Sequence, residues 1–174
     1  PYLTSKIATS ADGFITAKTG QQTWLTNDVS RVYAHNLRSR VDAVLTGIET
    51  ILIDNPELTC RLPGWKESSP VRIIFDSHLR LRSNSKVAQT IAAGPVVVFC
   101  GRAANSQDQI MLDKCGIEVV RLDQNADGLD LSAALQWCAK RDLSSLLLEA
   151  GTKLNHSFYL EIKFLNLKVI FFFQ

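Results

Sequence analysis

The chain has 174 residues, of which 46% are hydrophobic and 21% are charged, which is an ordinary globular composition that suffices for one domain with a hydrophobic core. The formal net charge of +2 is too small to indicate a nucleic-acid-binding surface. The longest apolar run, at the carboxyl terminus, is interrupted by Lys163 and Lys168 and is too short to span a bilayer.

In the first third of the chain, the pattern predicts a strand over residues 2–10 and a helix with Thr26 or Asn27 as its N-cap. Apolar residues recur there at helical spacing and predict a buried stripe: Val29, Val32, Tyr33, Leu37 and Val41. Arg31, His35 and Arg38 lie off this stripe. A short helix and a loop broken by Pro56 follow Gly47.

Short, continuous apolar runs predict strands that are covered on both faces, over residues 42–46, 71–75, 96–100, 117–122 and 145–148. Segments of helical character lie between or after them, over residues 107–114, 129–141 and 152–160. Strands that alternate with helices indicate an α/β protein with a largely parallel sheet and helices on both faces. Residues 169–173 form one more predicted strand.

Cysteine and histidine usage argues against a metal site and a disulfide framework. The cysteines are far apart and include no C-x-x-C pair: Cys60, Cys100, Cys115 and Cys138. The histidines are scattered: His35, His78 and His156. We therefore expect reduced thiols, a cytoplasmic location and no metal. The chain opens at Pro1 without Met, which indicates an excised domain, a processed chain or an incomplete one.

Polar residues near the predicted strand ends are the candidate ligand groups, because ligands bind at the carboxyl ends of parallel strands. No G-x-G turn or G-x-x-x-x-G-K-[ST] motif is present. Arg38 and Arg61 carry guanidinium groups that match phosphate oxygens. Gly151 opens a helix whose amides suit an anion. Glu149 ends a buried strand and needs a partner. These residues favour a phosphorylated small-molecule ligand without deciding whether the protein is an enzyme.

Each candidate also has a purely structural interpretation. Arg38 could pair with Asp42 at the helix end, and Asp54 could cap the turn before Pro56. Gly151 could be a turn glycine and Glu149 a salt-bridge partner. The basic residues of the middle region fit a solvated face better than a phosphate site: Arg72, Arg80, Arg82 and Lys86.

An ordered set of motifs from Pro1 to about Leu160 resembles the reductase domain of the bacterial bifunctional riboflavin-biosynthesis protein RibD. The motifs are Ser10-Ala11-Asp12-Gly13-Phe14-Ile15, Trp24-Leu25-Thr26, Leu37-Arg38, Asp42-Ala43-Val44-Leu45, Gly47, Thr50-Ile51-Leu52, Asp54-Asn55-Pro56-Glu57-Leu58-Thr59, Arg61, Pro70-Val71-Arg72-Ile73-Ile74-Phe75-Asp76 and Leu147-Leu148-Glu149-Ala150-Gly151 with Leu154. Their order and spacing carry the resemblance together, since none is decisive alone.

The resemblance implies a dihydrofolate-reductase-like three-layer α/β fold and an enzyme that uses NADPH without a G-x-G-x-x-G turn. The implied reaction reduces 5-amino-6-(5-phosphoribosylamino)uracil to the ribitylamino compound, with hydride moving from nicotinamide C4 to ribose C1′. It also implies a cytoplasmic homodimer whose partner is a phosphorylated pyrimidine-ribose, with no nucleic acid, membrane or metal.

The resemblance also assigns the site residues by position. Cofactor contacts are implied for Ala8, Trp24, Thr50, Asp54, Ser77, Gly151, Thr152, Lys153, Leu154, Asn155, His156 and Ser157. Substrate contacts are implied for Gln22, Arg38, Leu58, Arg61 and Glu149, with the two arginines on the ribose phosphate. Asp54 and Glu149 are the residues implied nearest the chemistry, and Asp54 is expected to act through positioning and electrostatics.

Three departures from the family pattern leave alternatives open. Gln22 replaces a serine and Ala150 replaces a glycine, and the segment after Leu160 lacks the expected acidic stretch and closing hairpin. The sequence therefore predicts one reductase domain over residues 1–174, excised from or lacking an upstream zinc deaminase, with the terminal hairpin missing or altered. The alternatives are a related reductase that acts on the diaminopyrimidinone intermediate and a non-catalytic relative that binds a phosphorylated nucleoside.

Overall fold

The computed structural model describes residues 1–9, 28–65, 67–126, 128–161 and 167–173. Its strands are β1 (Tyr2–Thr9), β2 (Ala43–Gly47), β3 (Val71–Phe75), β4 (Val96–Gly101), β5 (Glu118–Leu122), β6 (Gln124–Asn125), β7 (Gly128–Leu129), β8 (Ser145–Leu148) and β9 (Leu167–Phe173). Its α-helices are α1 (Asp28–Arg38), α2 (Ile48–Asp54), α3 (Lys86–Gln89), α4 (Ser106–Lys114), α5 (Leu131–Ala139) and α6 (Thr152–Glu161).

The centre of the fold is a seven-stranded sheet with the strand order β5-β4-β3-β2-β8-β1-β9. All neighbouring strands in it run parallel. The predicted α/β class with a parallel sheet flanked by helices is therefore confirmed. The bounds of β3 and β8 agree with the prediction, because both are unbroken apolar runs between polar or turn residues.

Apolar side chains pack into two clusters, as expected for a sheet that is covered on both faces. The first cluster includes an aromatic chain in which Phe75 contacts both Phe99 and Phe158 edge to face. Phe158 belongs to α6 and is fully buried. This packing holds α6 against the sheet. Residues 149–151 connect the end of β8 to the amino terminus of α6.

The predicted buried stripe of α1 is wrong in part. Val32 and Tyr33 are 51% and 44% exposed, whereas Leu37 and Val41 pack against the second cluster. Arg38, predicted off the stripe, is only 12% exposed. Compared with the prediction, the helix is rotated about its axis, and its last turn directs the Arg38 side chain inward. Burial of this charge is tolerated because the Glu149 carboxylate pairs with it.

Arg72 is fully buried, so its predicted place on a solvated face is wrong. Its guanidinium donates to the carbonyl oxygens of Val87, Thr90 and Gly94 and to the Thr90 hydroxyl. Burial lowers the pKa of Arg72 to about 10, which still leaves it charged at neutral pH. Hydrogen bonds to carbonyl oxygens therefore stabilise in the interior a cation that the sequence pattern predicted to be exposed to solvent.

The sequence pattern missed the small elements, which are α3, a 3-10 turn at Ile91–Ala93 and the antiparallel pair β6–β7. They are shorter than the windows in which periodicity can be recognised. The predicted last strand is confirmed as β9, which pairs with β1. The extended segment predicted at residues 14–16 lies outside the described residues. Within the described segments, every helix is too short or too polar to serve as a membrane span.

Candidate active site at the carboxyl edge of the sheet

Polar side chains gather where the central strands end. Because the strands are parallel, their carboxyl ends share one edge of the sheet. Strand β8 lies between β2 and β1 in the middle of the sheet, and Glu149 follows its last residue. The Glu149 amide donates to the Leu45 carbonyl at 2.9 Å, and the Thr46 hydroxyl donates to the Glu149 carbonyl at 2.7 Å. These two bonds fix the Glu149 backbone to β2.

The Glu149 carboxylate is held by two cations. Arg38 Nε donates to Oε1 at 2.6 Å and Arg38 Nη2 donates to Oε2 at 3.0 Å. This bidentate contact fixes the orientation of the guanidinium and of the carboxylate. Lys6 Nζ lies 3.4 Å from Oε2. The side chain of Glu149 is 8% exposed, so this three-residue cluster forms a nearly buried polar floor.

The electrostatics of the cluster favour an ionised carboxylate. Burial by itself raises the pKa of the Glu149 carboxyl, but the positive charges of Arg38 and Lys6 outweigh burial and hold that pKa well below its ordinary value. Glu149 is consequently an anion throughout the neutral range. It can accept hydrogen bonds from a ligand but does not have a proton to donate at neutral pH.

The loop that follows α2 meets this floor from the side. Arg38 Nη1 donates to the Thr59 carbonyl at 3.1 Å. Leu58 is buried although its φ is 58°, in the left-handed region that a leucine rarely adopts. This strained conformation places Thr59 toward Arg38 and leaves Arg61 at the rim. Backbone strain that the surroundings maintain is common at ligand-binding loops.

Arg61 is the accessible cation of the loop. Its side chain is 52% exposed, and Nη1 donates to Glu57 Oε2 at 2.8 Å and to the Thr59 hydroxyl at 2.9 Å. Ion pairs at this exposure are weak, so a ligand anion can replace Glu57 at little cost. Arg61 is therefore more accessible to a ligand than Arg38, which is almost buried and directs three of its five N–H groups to Glu149 and the Thr59 carbonyl.

Polar contacts from Ser69, Arg72 and Lys86 also hold the same loop in place. Arg72 Nη1 donates to the Glu57 carbonyl at 3.1 Å, and the Cys60 amide donates to the Ser69 hydroxyl at 2.9 Å. Asn55 has a φ of 42°, and its side-chain oxygen accepts from the Lys86 amide at 2.8 Å. These contacts make residues 55–61 a braced segment whose conformation is set by β3 and α3.

The amino terminus of α6 follows Glu149 closely, because the helix begins at Thr152. A Cβ atom built on Gly151 would have nothing within 4 Å, so the space above this residue is open. The first turn of α6 carries no acidic residue. Asn155 ties the helix to β1, because its side-chain oxygen accepts from the Ser5 hydroxyl at 2.7 Å. Its amide nitrogen donates to the Ala150 carbonyl at 2.5 Å.

The remaining predicted cofactor residues follow β2 and β3 in the chain. Thr50 and Asp54 are half-buried on α2, which follows β2. Burial raises the pKa of the Asp54 carboxyl above its ordinary value. Ser77 follows β3, and its carbonyl accepts from the Gly101 amide at 3.0 Å. From Gly151 to Ser157, the chain is exposed or half-buried throughout.

The structure brings Arg38, Glu149 and the loop around Leu58 and Arg61 together, as the sequence predicted. The structural alternative for Arg38 is wrong, because Asp42 instead accepts from the amides and hydroxyls of Ser144 and Ser145. The alternative for Glu149 as a salt-bridge partner is confirmed. Gln22 and Trp24 lie outside the described residues, and only the backbone of Ala8 is described.

Sequence reasoning missed Lys6 and Thr59. Lys6 is a cation within a strand that lies between two others, where charges are rare unless paired. The place of this strand in the sheet depends on how the strands pair, so the sequence alone did not identify Lys6. Thr59 contributes its carbonyl oxygen, which any residue would supply, so the sequence could not identify it.

Comparison with known protein families gives one match across almost the whole chain. The model of the RibD C-terminal domain family matches residues 1–172. A curated relative, riboflavin biosynthesis protein RibD of Actinobacillus pleuropneumoniae, is 33% identical over 160 residues, covering 90% of this chain and 41% of the relative.

Solved structures agree with that match. RibD of Acinetobacter baumannii superimposes with a TM-score of 0.78 and 26% identity, covering 92% of this chain and 43% of that one. A diaminohydroxyphosphoribosylaminopyrimidine deaminase/5-amino-6-(5-phosphoribosylamino)uracil reductase of Thermotoga maritima superimposes with a TM-score of 0.75 and 28% identity, covering 99% of this chain and 44% of that one. The chain thus spans less than half the length of each of these proteins.

Proposed function

The chain belongs to the RibD C-terminal domain family, and on that premise we propose that it catalyses the NADPH-dependent reduction of 5-amino-6-(5-phosphoribosylamino)uracil. The product is the corresponding ribitylamino compound of riboflavin biosynthesis. The observation that carries this proposal is the ion-paired floor of Arg38, Glu149 and Lys6, with the accessible Arg61 beside it at the carboxyl edge of the sheet.

We assign the substrate phosphate to Arg61. Its guanidinium is half-exposed and its partner Glu57 is easily displaced, so a phosphate can gain two charge-assisted hydrogen bonds there. Arg38 lies nearby but is almost buried, and three of its five N–H groups donate to Glu149 and the Thr59 carbonyl. Arg38 consequently acts mainly by fixing the floor and by adding positive potential behind the phosphate.

Glu149 supports recognition of the rest of the substrate. As a fixed anion it accepts hydrogen bonds from hydroxyl or amino groups, which are the groups that a ribosylaminopyrimidine presents. Lys6 can donate hydrogen bonds to a ligand at the same place. In the described contacts its ammonium donates to one oxygen of Glu149, which leaves further N–H groups for a ligand. The pair offers an acceptor and a donor within one site.

The residues at the α6 end fit a cofactor with phosphate groups. The open space above Gly151, the exposed Lys153 and the absence of acidic residues from the first turn of this ten-residue helix suit an anion. When bound, NADPH would supply hydride from nicotinamide C4 for ribose C1′ of the ring-opened substrate. Thr50, Asp54 and Ser77 are proposed cofactor contacts by position on the same edge.

Asp54 is proposed to act electrostatically near the reaction centre. Burial disfavours the charge of this carboxylate and raises its pKa. A carboxylate in such surroundings stabilises positive charge that develops close to it, as on an iminium nitrogen of the substrate. The chain's contribution to the reaction is then alignment of the two carbons, exclusion of water and stabilisation of charge.

The family resemblance supports a proposal for location and assembly. We propose a cytoplasmic homodimer. The four cysteines are free thiols in the structure, which supports a reducing compartment.

NADPH fluorescence titration and turnover together test the proposal. The protein is mixed with NADPH and with freshly deaminated substrate, and loss of nicotinamide absorbance is followed. We expect saturable NADPH binding and substrate-dependent oxidation. Failure to bind NADPH would overturn the enzyme assignment. Turnover only with the diaminopyrimidinone intermediate identifies the related reductase instead, and binding without turnover of either compound identifies a non-catalytic relative.

A further inference from the structure

His35 connects α1 to the loop that carries Arg61. Its ring nitrogen Nδ1 accepts a hydrogen bond from the Arg61 amide at 3.2 Å. Its backbone carbonyl accepts from the Cys60 thiol at 3.5 Å. The imidazole is half-buried and lies one helical turn before Arg38, which contacts Thr59 of the same loop. Helix α1 therefore contacts three successive loop residues through these two side chains and one carbonyl.

The Arg61 contact requires a particular state of the imidazole. An Nδ1 atom that accepts a hydrogen bond carries no proton, so the proton of the neutral ring is on Nε2. Protonation would convert Nδ1 into a donor facing another donor. The hydrogen bond would then be replaced by repulsion between two N–H groups, and the backbone at Arg61 would have to move.

We propose that neutral His35 is a positioning residue that sets the affinity of the substrate-phosphate subsite at Arg61, and that protonation of His35 weakens that subsite. The proposal rests on the function proposed above. It adds a residue that does not touch the substrate but holds the backbone of the one that does. The affinity for a phosphate would thereby depend on pH in two ways, through protonation of His35 and through protonation of the phosphate itself.

The surroundings of His35 favour the neutral state. Burial and the positive charges of Arg38, on the same helix, and Arg61, on the loop, lower its pKa, against smaller opposing effects of the Thr59 carbonyl and of Glu149 at the end of β8. Glu57, on the same loop, is the ion-pair partner of Arg61. Because the pKa is lowered from 6.5, the Arg61 contact is intact above that pH. It is lost as pH falls through the lower pKa of the folded protein.

Substitutions that differ in where they place an acceptor test the positioning role. Asn places its side-chain oxygen near the position of Nδ1, whereas Gln places it near Nε2. We expect His35→Ala and His35→Gln to raise KM for the phosphorylated substrate about tenfold, the worth of one hydrogen bond of about 1.4 kcal/mol, with kcat and KM for NADPH nearly unchanged. His35→Asn should restore KM. Asn36→Ala is the matched control, because the Asn36 side chain bonds only to Val32 within the helix in the described contacts.

A measurement without turnover separates this proposal from the proposed function. Ribose 5-phosphate is titrated into isotopically labelled protein, and the Arg61 amide resonance is followed by NMR at several pH values. In the wild type, the Arg61 signal should titrate together with His35, and affinity should fall at low pH. In His35→Asn, the decrease in affinity that is caused by protonation of His35 should disappear, and only the decrease caused by protonation of the phosphate should remain.

Two results would overturn the proposal. One is an Arg61 amide that does not respond to the protonation of His35. The other is tighter ribose 5-phosphate binding at low pH in the wild type than in His35→Asn, which would show that the imidazolium binds the phosphate directly. Absence of turnover, with the NMR behaviour as expected, would count against the proposed reaction and leave the positioning role standing.

Discussion

Arg38 and Glu149, which are 111 positions apart in the sequence, form a two-pronged ion pair at the carboxyl end of the central strand β8. The pair is almost buried, with side-chain exposures of 12% and 8%. It joins the last turn of α1 to the sheet, and through Thr59 it joins both to the loop that carries Arg61. A contact in this position couples the stability of the domain to the shape of the candidate site.

Removing one partner of this pair should destabilise the domain strongly. Arg38→Met leaves the Glu149 carboxylate buried with Lys6 as its remaining cation, and breaking a buried pair in this way costs roughly 3–5 kcal/mol of unfolding free energy. Urea denaturation measures the loss. Arg102→Met breaks the exposed pair with Asp123 and is the control, for which the midpoint should not move. Equal midpoints for both variants would contradict the structural role of the Arg38–Glu149 pair.

A double variant separates stability from function. Replacing both partners, as in Arg38→Met with Glu149→Leu, removes the buried charge and should recover much of the lost stability. The double variant should nevertheless remain inactive, because the polar floor is gone. Recovery of turnover along with stability would show that the pair is only structural.

The sequence predicted the sheet well because continuous apolar runs between turn residues identify buried strands such as β3 and β8 without reference to the rest of the chain. It named Arg38 and Glu149 from their residue type and position as well as through the family resemblance, but local patterns could not pair them. A contact between residues 111 positions apart depends on how the elements pack. Arg72 shows the same limit. Its burial depends on backbone carbonyl oxygens of Val87, Thr90 and Gly94, and a pattern of side-chain types does not predict where backbone oxygens lie.

Acid should destabilise the protein through Glu149. Its pKa is lowered in the folded state, so the unfolded chain takes up the proton first as pH falls below about 4.5. The stabilisation is therefore complete above that pH and is lost as pH falls toward the lower pKa of the folded state. Urea midpoints measured across this window should fall less steeply for Glu149→Gln than for the wild type. Glu118→Gln, which removes an exposed partner of Arg141, should retain the wild-type slope.

Gly94 and Gly101 should respond differently to alanine. A Cβ atom on Gly94 would lie 2.6 Å from the Ser69 carbonyl oxygen, which is backbone, and Ser69 in turn holds the Cys60 amide. We expect Gly94→Ala to cost about 1–3 kcal/mol of stability, as for other overpacked positions. A Cβ atom on Gly101 chiefly meets the end of the Gln124 side chain, which can rotate away. Thermal unfolding of the two variants compares them, and a larger loss for Gly101→Ala would contradict this reasoning.

Asp54 and Arg61 should affect different kinetic constants. Asp54→Asn keeps the size of the side chain but removes the charge, so kcat should fall by about 10²–10³ while KM changes little. Arg61→Met removes a charge-assisted contact to the phosphate, so KM should rise by about 10–100-fold with a smaller change in kcat. Steady-state kinetics with varied substrate separate the constants. The opposite assignment, or no change in either variant, would refute this placement of the site.

Transfer of deuterium tests the central claim most directly. The protein is incubated with NADPH deuterated at the transferred C4 position and with 5-amino-6-(5-phosphoribosylamino)uracil, and the product is analysed by mass spectrometry and NMR. The account predicts a ribitylamino product with one deuterium at C1′. A reduced product without deuterium at C1′, or no reduction by a protein that still binds both compounds, would contradict the account.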